Sequence, residues 1–190
     1  MRLFFAFTLP DSVERPLQLV QAHLPGSGAR WTKTRHFHLT LKFLGEVDLV
    51  RQVQAQCACR DLIQKLSLSL DDLKFRLTRV GTFQKNEEPS VVWVGVGMSP
   101  ALYQFQYELA AALEPLGFAI EKQKFRPHVT LARLRSLQHS QRGRVQQDLR
   151  SLGVQHVGFE VLTVDLYRAQ IREGEMPVYE VLESYPLLTR

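Results

Sequence analysis

Cysteine is scarce in this chain, with two residues in 190, Cys57 and Cys59. They stand C-x-C in a segment of helical pattern, where side chains at i and i+2 diverge, so neither a disulfide nor a shared metal joins them. Both read as ordinary buried or half-buried thiols in a reduced, cytoplasmic setting. Long apolar runs are missing as well. The opening MRLFFAFTLPDS is cut short by Pro10 and Asp11, so it reads as a buried first strand rather than a signal or membrane span, and no membrane partner is expected. There is no low-complexity stretch and no linker. With 45% hydrophobic residues over 190 positions, residues 1–190 are expected to fold as one domain of two tightly joined lobes, and as a monomer.

Acidic residues are outnumbered. Twenty-four Lys and Arg against 19 Asp and Glu leave a formal charge of +5, which favours an anionic partner such as a phosphate ester or a nucleic acid.

Hydrophobic periodicity supplies the elements. A strand over 2–9 is followed by a helix from about 13 to 23, with Val13, Leu17, Val20 and Leu24 at helical spacing and Pro25 to Gly28 ending it. A strand runs from about 37 to 44. Asp48 can cap a helix to about Lys65 whose inward stripe would be Leu49, Val53, Cys57 and Ile63. Alternation in LSLSLDDLKFRLTRVGTF and VVWVGVG, around the turn QKNEEPS, predicts an antiparallel pair. Ser99-Pro100 starts a helix to about Leu116, a strand follows over about 127–134, and a polar surface helix over 139–151. Two strands, FEVLTVDLYRAQI and MPVYEVLESYPL, close the chain around the turn at 172–175.

Two stretches dominate this pattern: His38-Leu39-Thr40-Leu41 and His128-Val129-Thr130-Leu131, ninety residues apart. On a strand, i and i+2 share a face, so His38 pairs with Thr40 and His128 with Thr130, while Leu39 and Val129 point to a core. The elements around them repeat in order at nearly the same offset. That predicts a duplicated unit with a pseudo-twofold axis and the two histidines on opposite walls of one cleft.

Opposed histidines suit in-line displacement at phosphorus, where entering and leaving oxygens lie on opposite sides. A neutral imidazole takes a proton from water while an imidazolium gives one to the leaving oxygen, and an ordinary pKa of about 6.5 keeps both forms accessible. The threonine hydroxyls can donate to the non-bridging oxygens. This chemistry needs no metal or other cofactor.

The paired His-x-Thr-Leu stretches, the opening RLFFAFTLP, LKFLGEV after His38, the strand VVWVGV and FRPHVTLAR around His128 together resemble the RNA 2',3'-cyclic phosphodiesterases (LigT type) of the two-histidine phosphoesterase superfamily. The resemblance spans nearly the whole chain. It implies an α+β bilobal fold, with two antiparallel β-sheets lining a central cleft and helices packed outside. It also implies that the partner is an RNA or nucleotide bearing a 2',3'-cyclic phosphate, hydrolysed to a 2'-phosphomonoester; some relatives are associated with reversible 2'-5' RNA ligation. In the family the first motif's histidine is the proton donor and the second's the acceptor, which makes His38 the donor and His128 the acceptor here. The family's Arg five residues after the second His falls on Arg133. Strict alternation points Arg133 away from the cleft, and a bulge or the strand's end is what would bring it to phosphate. An Arg that relatives often carry five residues before that His is Gln123 here, with Lys122, Lys124 and Arg126 as basic neighbours.

Other readings of the same residues stand beside this one. His36 and His38 form an H-x-H that, with His128, could make a three-histidine zinc site of a hydrolase. A non-catalytic RNA-end binder would use the same basic residues and aromatics. Lys42 shares strand parity with His38 and Thr40 and could reach phosphate or simply face solvent. Trp31, Phe7, Phe83 and Tyr167 are candidates to stack on a base, although core packing is the more natural use for most of them. His23, His139 and His156 have no evident partners and read as structural.

Overall fold

The structure, a computed structural model, describes residues 1–23, 29–66, 69, 71–97, 99–121, 123–134, 141, 145, 147–149, 152–171 and 177–187, with only the backbone at 71. The expected helix over 139–151 and the turn at 172–175 fall largely or wholly outside these, as do Leu24, Lys122 and His139.

The apolar opening forms β1 (Arg2–Thr8), whose five central residues are buried on both faces, as a strand in mid-sheet requires. Then come α1 (Glu14–Ala22), β2 (Arg30–Trp31), β3 (His38–Glu46), α2 (Leu49–Lys65), β4 (Lys74–Lys85), β5 (Glu88–Val96), α3 (Pro100–Leu113), β6 (His128–Arg133), β7 (Gly158–Glu160), β8 (Thr163–Gln170) and β9 (Val178–Pro186). Asp48 caps α2 as expected, its carboxylate accepting from the Arg51 amide at 2.8 Å. Ser99 caps α3, its hydroxyl accepting from the Leu102 amide at 3.1 Å, with Pro100 in the first turn. The β4–β5 turn is made by Asn86 and Glu87, both at positive φ (51° and 65°), the geometry whose twist suits a tight hairpin.

The nine described strands join in one antiparallel sheet, in the order β7-β4-β5-β6-β3-β1-β8-β9, with β2 beside β6. This corrects the expected pair of sheets. β3 and β6 meet directly at Leu39 and Val129, which joins the two sides of the sheet into a single ladder. Outward from that seam the order is β6-β5-β4-β7 on one side and β3-β1-β8-β9 on the other.

One face of the sheet is the core. Leu39, Leu41, Val129, Leu131, Val92 and Val94 pack in one cluster with Leu17 and Val20 of α1, Leu62 of α2 and Leu102 and Phe105 of α3. Each such side chain contributes about 1.5–3 kcal/mol by leaving water. The stripe that α2 buries is Ala55, Cys59, Leu62 and Ile63, whereas Leu49, Val53 and Cys57 face solvent. Both stripes have helical spacing; small Ala55 and Cys59 let the helix lie close to its neighbours. The opposite face carries a second, smaller cluster of Phe4, Ala6 and Tyr167, and the motif residues stand on that face.

Candidate active site

The seam between β3 and β6 sets the geometry. With Leu39 paired to Val129, the antiparallel register carried one residue each way brings His38 opposite Thr130 and Thr40 opposite His128. The four side chains form a square on the face opposite α1, α2 and α3. The histidines occupy opposite corners, where Cβ atoms of diagonal neighbours lie about 7–8 Å apart or somewhat less.

Both imidazoles are anchored alike. His38 Nδ1 lies 2.7 Å from the carbonyl oxygen of His36, and His128 Nδ1 lies 2.7 Å from that of Arg126. A carbonyl only accepts, so each Nδ1 carries hydrogen and each Nε2 is left for a substrate. Burial lowers the pKa of both. For His38 it falls to about 4, the carbonyl bond opposing the shift and the charges of His128, His36 and Arg133 adding to it. His128 is lowered by burial and by Arg133, against its bond to Arg126. Both shifts favour the uncharged imidazole in the free protein, and a bound phosphate anion would oppose them.

Arg133 reaches this face through a bulge. Between β5 and β6, Trp93 pairs with Thr130 but Val92 pairs with Ala132, so Leu131 is an extra residue. Leu131 and Ala132 are both buried, parity flips, and Arg133 falls on the face of His128 and Thr130. β3 does the same: Ala6 pairs with Thr40 and Phe5 with Lys42, which makes Leu41 the extra residue. Lys42 consequently turns to the helix face, 2% exposed. Its Nζ donates to the Ala119 carbonyl at 2.6 Å, with Glu121 at 3.9 Å. A phosphate contact by Lys42 is ruled out by this burial, and Phe43 takes the place on β3 that Arg133 has on β6.

Aromatic walls flank each histidine. His38 lies among Phe4 (5.0 Å between ring centres), Tyr167 (5.7 Å) and Tyr179 (4.9 Å). Tyr167 is fixed by its hydroxyl on Thr8, whose own hydroxyl donates to the buried carboxylate of Asp165. His128 has Phe83 at 4.7 Å and Trp93 at 6.4 Å. Of the expected stacking candidates, Phe83 and Tyr167 are at the site. Phe7 instead packs with Phe75 and Phe105 in the core, and Trp31 packs against that core from β2. A cavity of about 420 Å³ opens beside His128, lined in part by Arg79, Lys124 and Arg126.

The three-histidine metal site does not form. His36 lies in a 3-10 turn before β3 rather than on its face, with its ring edge-on to Tyr179 at 5.5 Å. Among the described residues no three His, Cys, Asp or Glu side chains come together as metal donors. His23 bonds the Leu19 carbonyl and His156 that of Leu77, each away from the square.

The sequence profile of the 2'-5' RNA ligase superfamily matches residues 9–170. The chain belongs to this superfamily. Similar members include the RNA 2',3'-cyclic phosphodiesterase of Methanocaldococcus jannaschii, 26% identical over 97% of this chain and 100% of that protein. That of Aeropyrum pernix is 33% identical over 83% and 85%. Among solved structures, a Thermus thermophilus protein superposes with a TM-score of 0.79 at 25% identity, covering 98% of both chains. Escherichia coli LigT, crystallised with 3'-AMP, has the same fold, with a TM-score of 0.76 at 23% identity over 99% and 98%.

Against this superfamily fold, what the motif pattern missed is clear. Phe4, Phe43, Tyr179 and Arg79 were not singled out, and Trp93 entered only as part of VVWVGV. Parity was the available signal for two of them: Trp93 alternates with the core valines 92 and 94, and Phe4 shares parity with Thr8.

Proposed function

We propose that this chain opens the 2',3'-cyclic phosphate at the end of an RNA, or of a nucleotide, to a 2'-phosphomonoester, by acid–base catalysis that uses no metal or other cofactor. The observation that carries the proposal is the square of His38, Thr130, His128 and Thr40, with both Nε2 atoms left for a substrate. The activity named for the Methanocaldococcus and Aeropyrum relatives supports it.

Water on the His128 side gives a proton to His128 Nε2 as its oxygen bonds to phosphorus. The bond to O3' breaks on the far side, and O3' takes the proton of His38 Nε2. The opposite charge state of the two imidazoles is then reset by solvent. Thr40 and Thr130 donate to the non-bridging oxygens, and the Arg133 cation balances the charge that builds there. The order of roles, His38 as donor and His128 as acceptor, follows the family resemblance. The same chemistry with a ribose 5'-hydroxyl in place of water is reversible 2'-5' ligation. We read the chain as a single bilobal domain built on a duplicated unit offset by about ninety residues, acting as a monomer. The free thiols Cys57 and Cys59 suit a reducing cytoplasm. No described helix is long and apolar enough to cross a membrane.

The test is an oligoribonucleotide ending in a 2',3'-cyclic phosphate, incubated with excess EDTA. Wild type should yield the 2'-phosphate, and His38→Ala and His128→Ala should each lose about 10² to 10⁴ in rate. Binding without turnover by wild type would replace the proposal with a non-catalytic RNA-end binder. Activity abolished by EDTA and restored by zinc would replace it with metal chemistry.

A further inference from the structure

Asp165 is a buried carboxylate that the stability of the fold does not explain. It lies on β8, opposite Ala6 of β1, and is 2% exposed. Its Oδ2 accepts from the hydroxyls of Thr8 and Thr163, the latter at 3.2 Å. Its Oδ1 has no partner among the described residues, and no ion pair among them neutralises the group. A carboxylate held out of water and half satisfied costs stability. An apolar side chain of similar size would cost the sheet less.

What Asp165 does hold is a chain of hydroxyls that leads to His38. Thr8 has one hydroxyl hydrogen and a carboxylate only accepts, so that hydrogen goes to Asp165 and the Tyr167 hydroxyl donates to Thr8 Oγ1. Hydrogen bonds in such a series strengthen one another. Thr8 is the cross-strand partner of His38. The Tyr167 ring lies flat on Phe4, with 5.1 Å between centres and 8° between planes, and it borders His38 at 5.7 Å. At 8% exposure this ring is closed to a stacking base and serves as a wall.

We propose that Asp165, acting through Thr8 and Tyr167, is a positioning residue for His38: it pins the ring that keeps water off one side of the imidazole and so holds Nε2 toward the leaving oxygen. That His38 gives its proton to this oxygen rests on the function proposed above; that the hydroxyl chain fixes the surroundings of the imidazole does not. The other groups around His38 are His128 and Arg133 from β6, His36 from the turn before β3, Tyr179 from β9 and Phe4 from β1. Desolvation is the largest cause of its low pKa, ahead of the charges of His128, His36 and Arg133. A loosened Tyr167 admits water and relieves that desolvation, which raises the pKa.

The test works through Thr8, an exposed residue whose substitution spares the core. Thr8→Val removes the hydroxyl and keeps the shape, whereas Thr8→Ser keeps the hydroxyl. The His38 imidazole, assigned in proton NMR spectra by its loss in His38→Gln, is titrated in the free protein. The same variants are assayed for kcat and KM on an oligoribonucleotide 2',3'-cyclic phosphate. In Thr8→Val the His38 pKa should rise from about 4 toward 6.5. Its kcat should fall about tenfold with KM within about twofold of wild type. Thr8→Ser should return both readings to wild type. Asp165→Leu should move them as Thr8→Val does, and the double variant should move them no further, because the groups act as one chain. Where the Leu variant does not fold, Asp165→Asn takes its place, with a weaker shift of the same sign because a neutral acceptor holds Thr8 less firmly. An unmoved His38 pKa in folded Thr8→Val, or effects that add in the double variant, would overturn the proposal and leave Asp165 a structural residue. A wild type without turnover would sink the hydrolase reading, while the titration, read without substrate, still decides whether Asp165 positions His38.

Discussion

Arg133 and His128 face the same way on β6 although they are five residues apart, because Leu131 is bulged out of the ladder with β5. The guanidinium thereby acts on both histidines, lowering the pKa of each. Arg133→Ala should reduce kcat/KM about 10- to 100-fold, and Arg133→Lys should recover part of that, since a point charge replaces a planar fork. Removing the cation should also raise both histidine pKa values, so the kcat/KM profile of Arg133→Ala should move to higher pH. A reduced rate with an unmoved profile would place Arg133 away from the square.

Burial holds both histidines below the ordinary value of 6.5, His38 at about 4. The kcat/KM profile, which reports the free enzyme, should peak on the acid side of pH 6.5. The kcat profile should peak at higher pH, because the bound phosphate anion favours the charged imidazoles. An optimum of kcat/KM above pH 7 would contradict the desolvation of the two histidines described here.

The same depression makes a stability prediction. Between about pH 4 and 6.5 the folded protein binds fewer protons at His38 than the unfolded chain does. The contribution is therefore full above pH 6.5 and lost as pH falls toward 4, at most about 3 kcal/mol. Urea titrations should show His38→Gln losing less stability than wild type over that window. Parallel curves would refute it.

Gly81 bears the Trp93 indole directly. Gly81→Ala must push the ring aside, and Trp93 is one of the two aromatics against His128. The substitution should cost about 1–3 kcal/mol and alter the intrinsic fluorescence of the folded protein. Unchanged stability and fluorescence would mean that the indole does not rest there.

Lys42, buried on the helix face, is expected to act on stability alone. Lys42→Met should lose about 1–3 kcal/mol, because the Ala119 carbonyl is left without its donor. The kcat/KM of the folded variant should stay within about twofold of wild type. A large fall in kcat/KM would restore Lys42 to the phosphate.

The shared face of the four motif residues was legible in the sequence because period-two alternation is a local rule, and it sorted His38, Thr40, His128 and Thr130 from Leu39 and Val129 without knowledge of strand order. The union of two sheets into one was not legible, since it depends on a single pairing, Leu39 with Val129, between strands ninety residues apart. Alternation failed at Leu41 and Leu131 for a different reason. Leucine is as natural in a strand as in a bulge, so nothing in HLTLKF or HVTLAR marks the extra residue. Those two positions sent Lys42 to the wrong face in the sequence reading and left Arg133 dependent on a bulge that only the register reveals. The stripe of α2 failed because two helical stripes compete, and which is buried depends on Ala55 and Cys59 fitting closely under the sheet rather than on greasiness.

The central claim is that His38 and His128 act in one displacement from opposite sides of the same phosphorus. Its most direct test is stereochemical. A stereodefined 2',3'-cyclic phosphorothioate hydrolysed by wild type in oxygen-18-labelled water should give a 2'-thiophosphate of inverted configuration at phosphorus. Retention would mean two successive displacements through a covalent phosphoryl-enzyme, and would contradict the account.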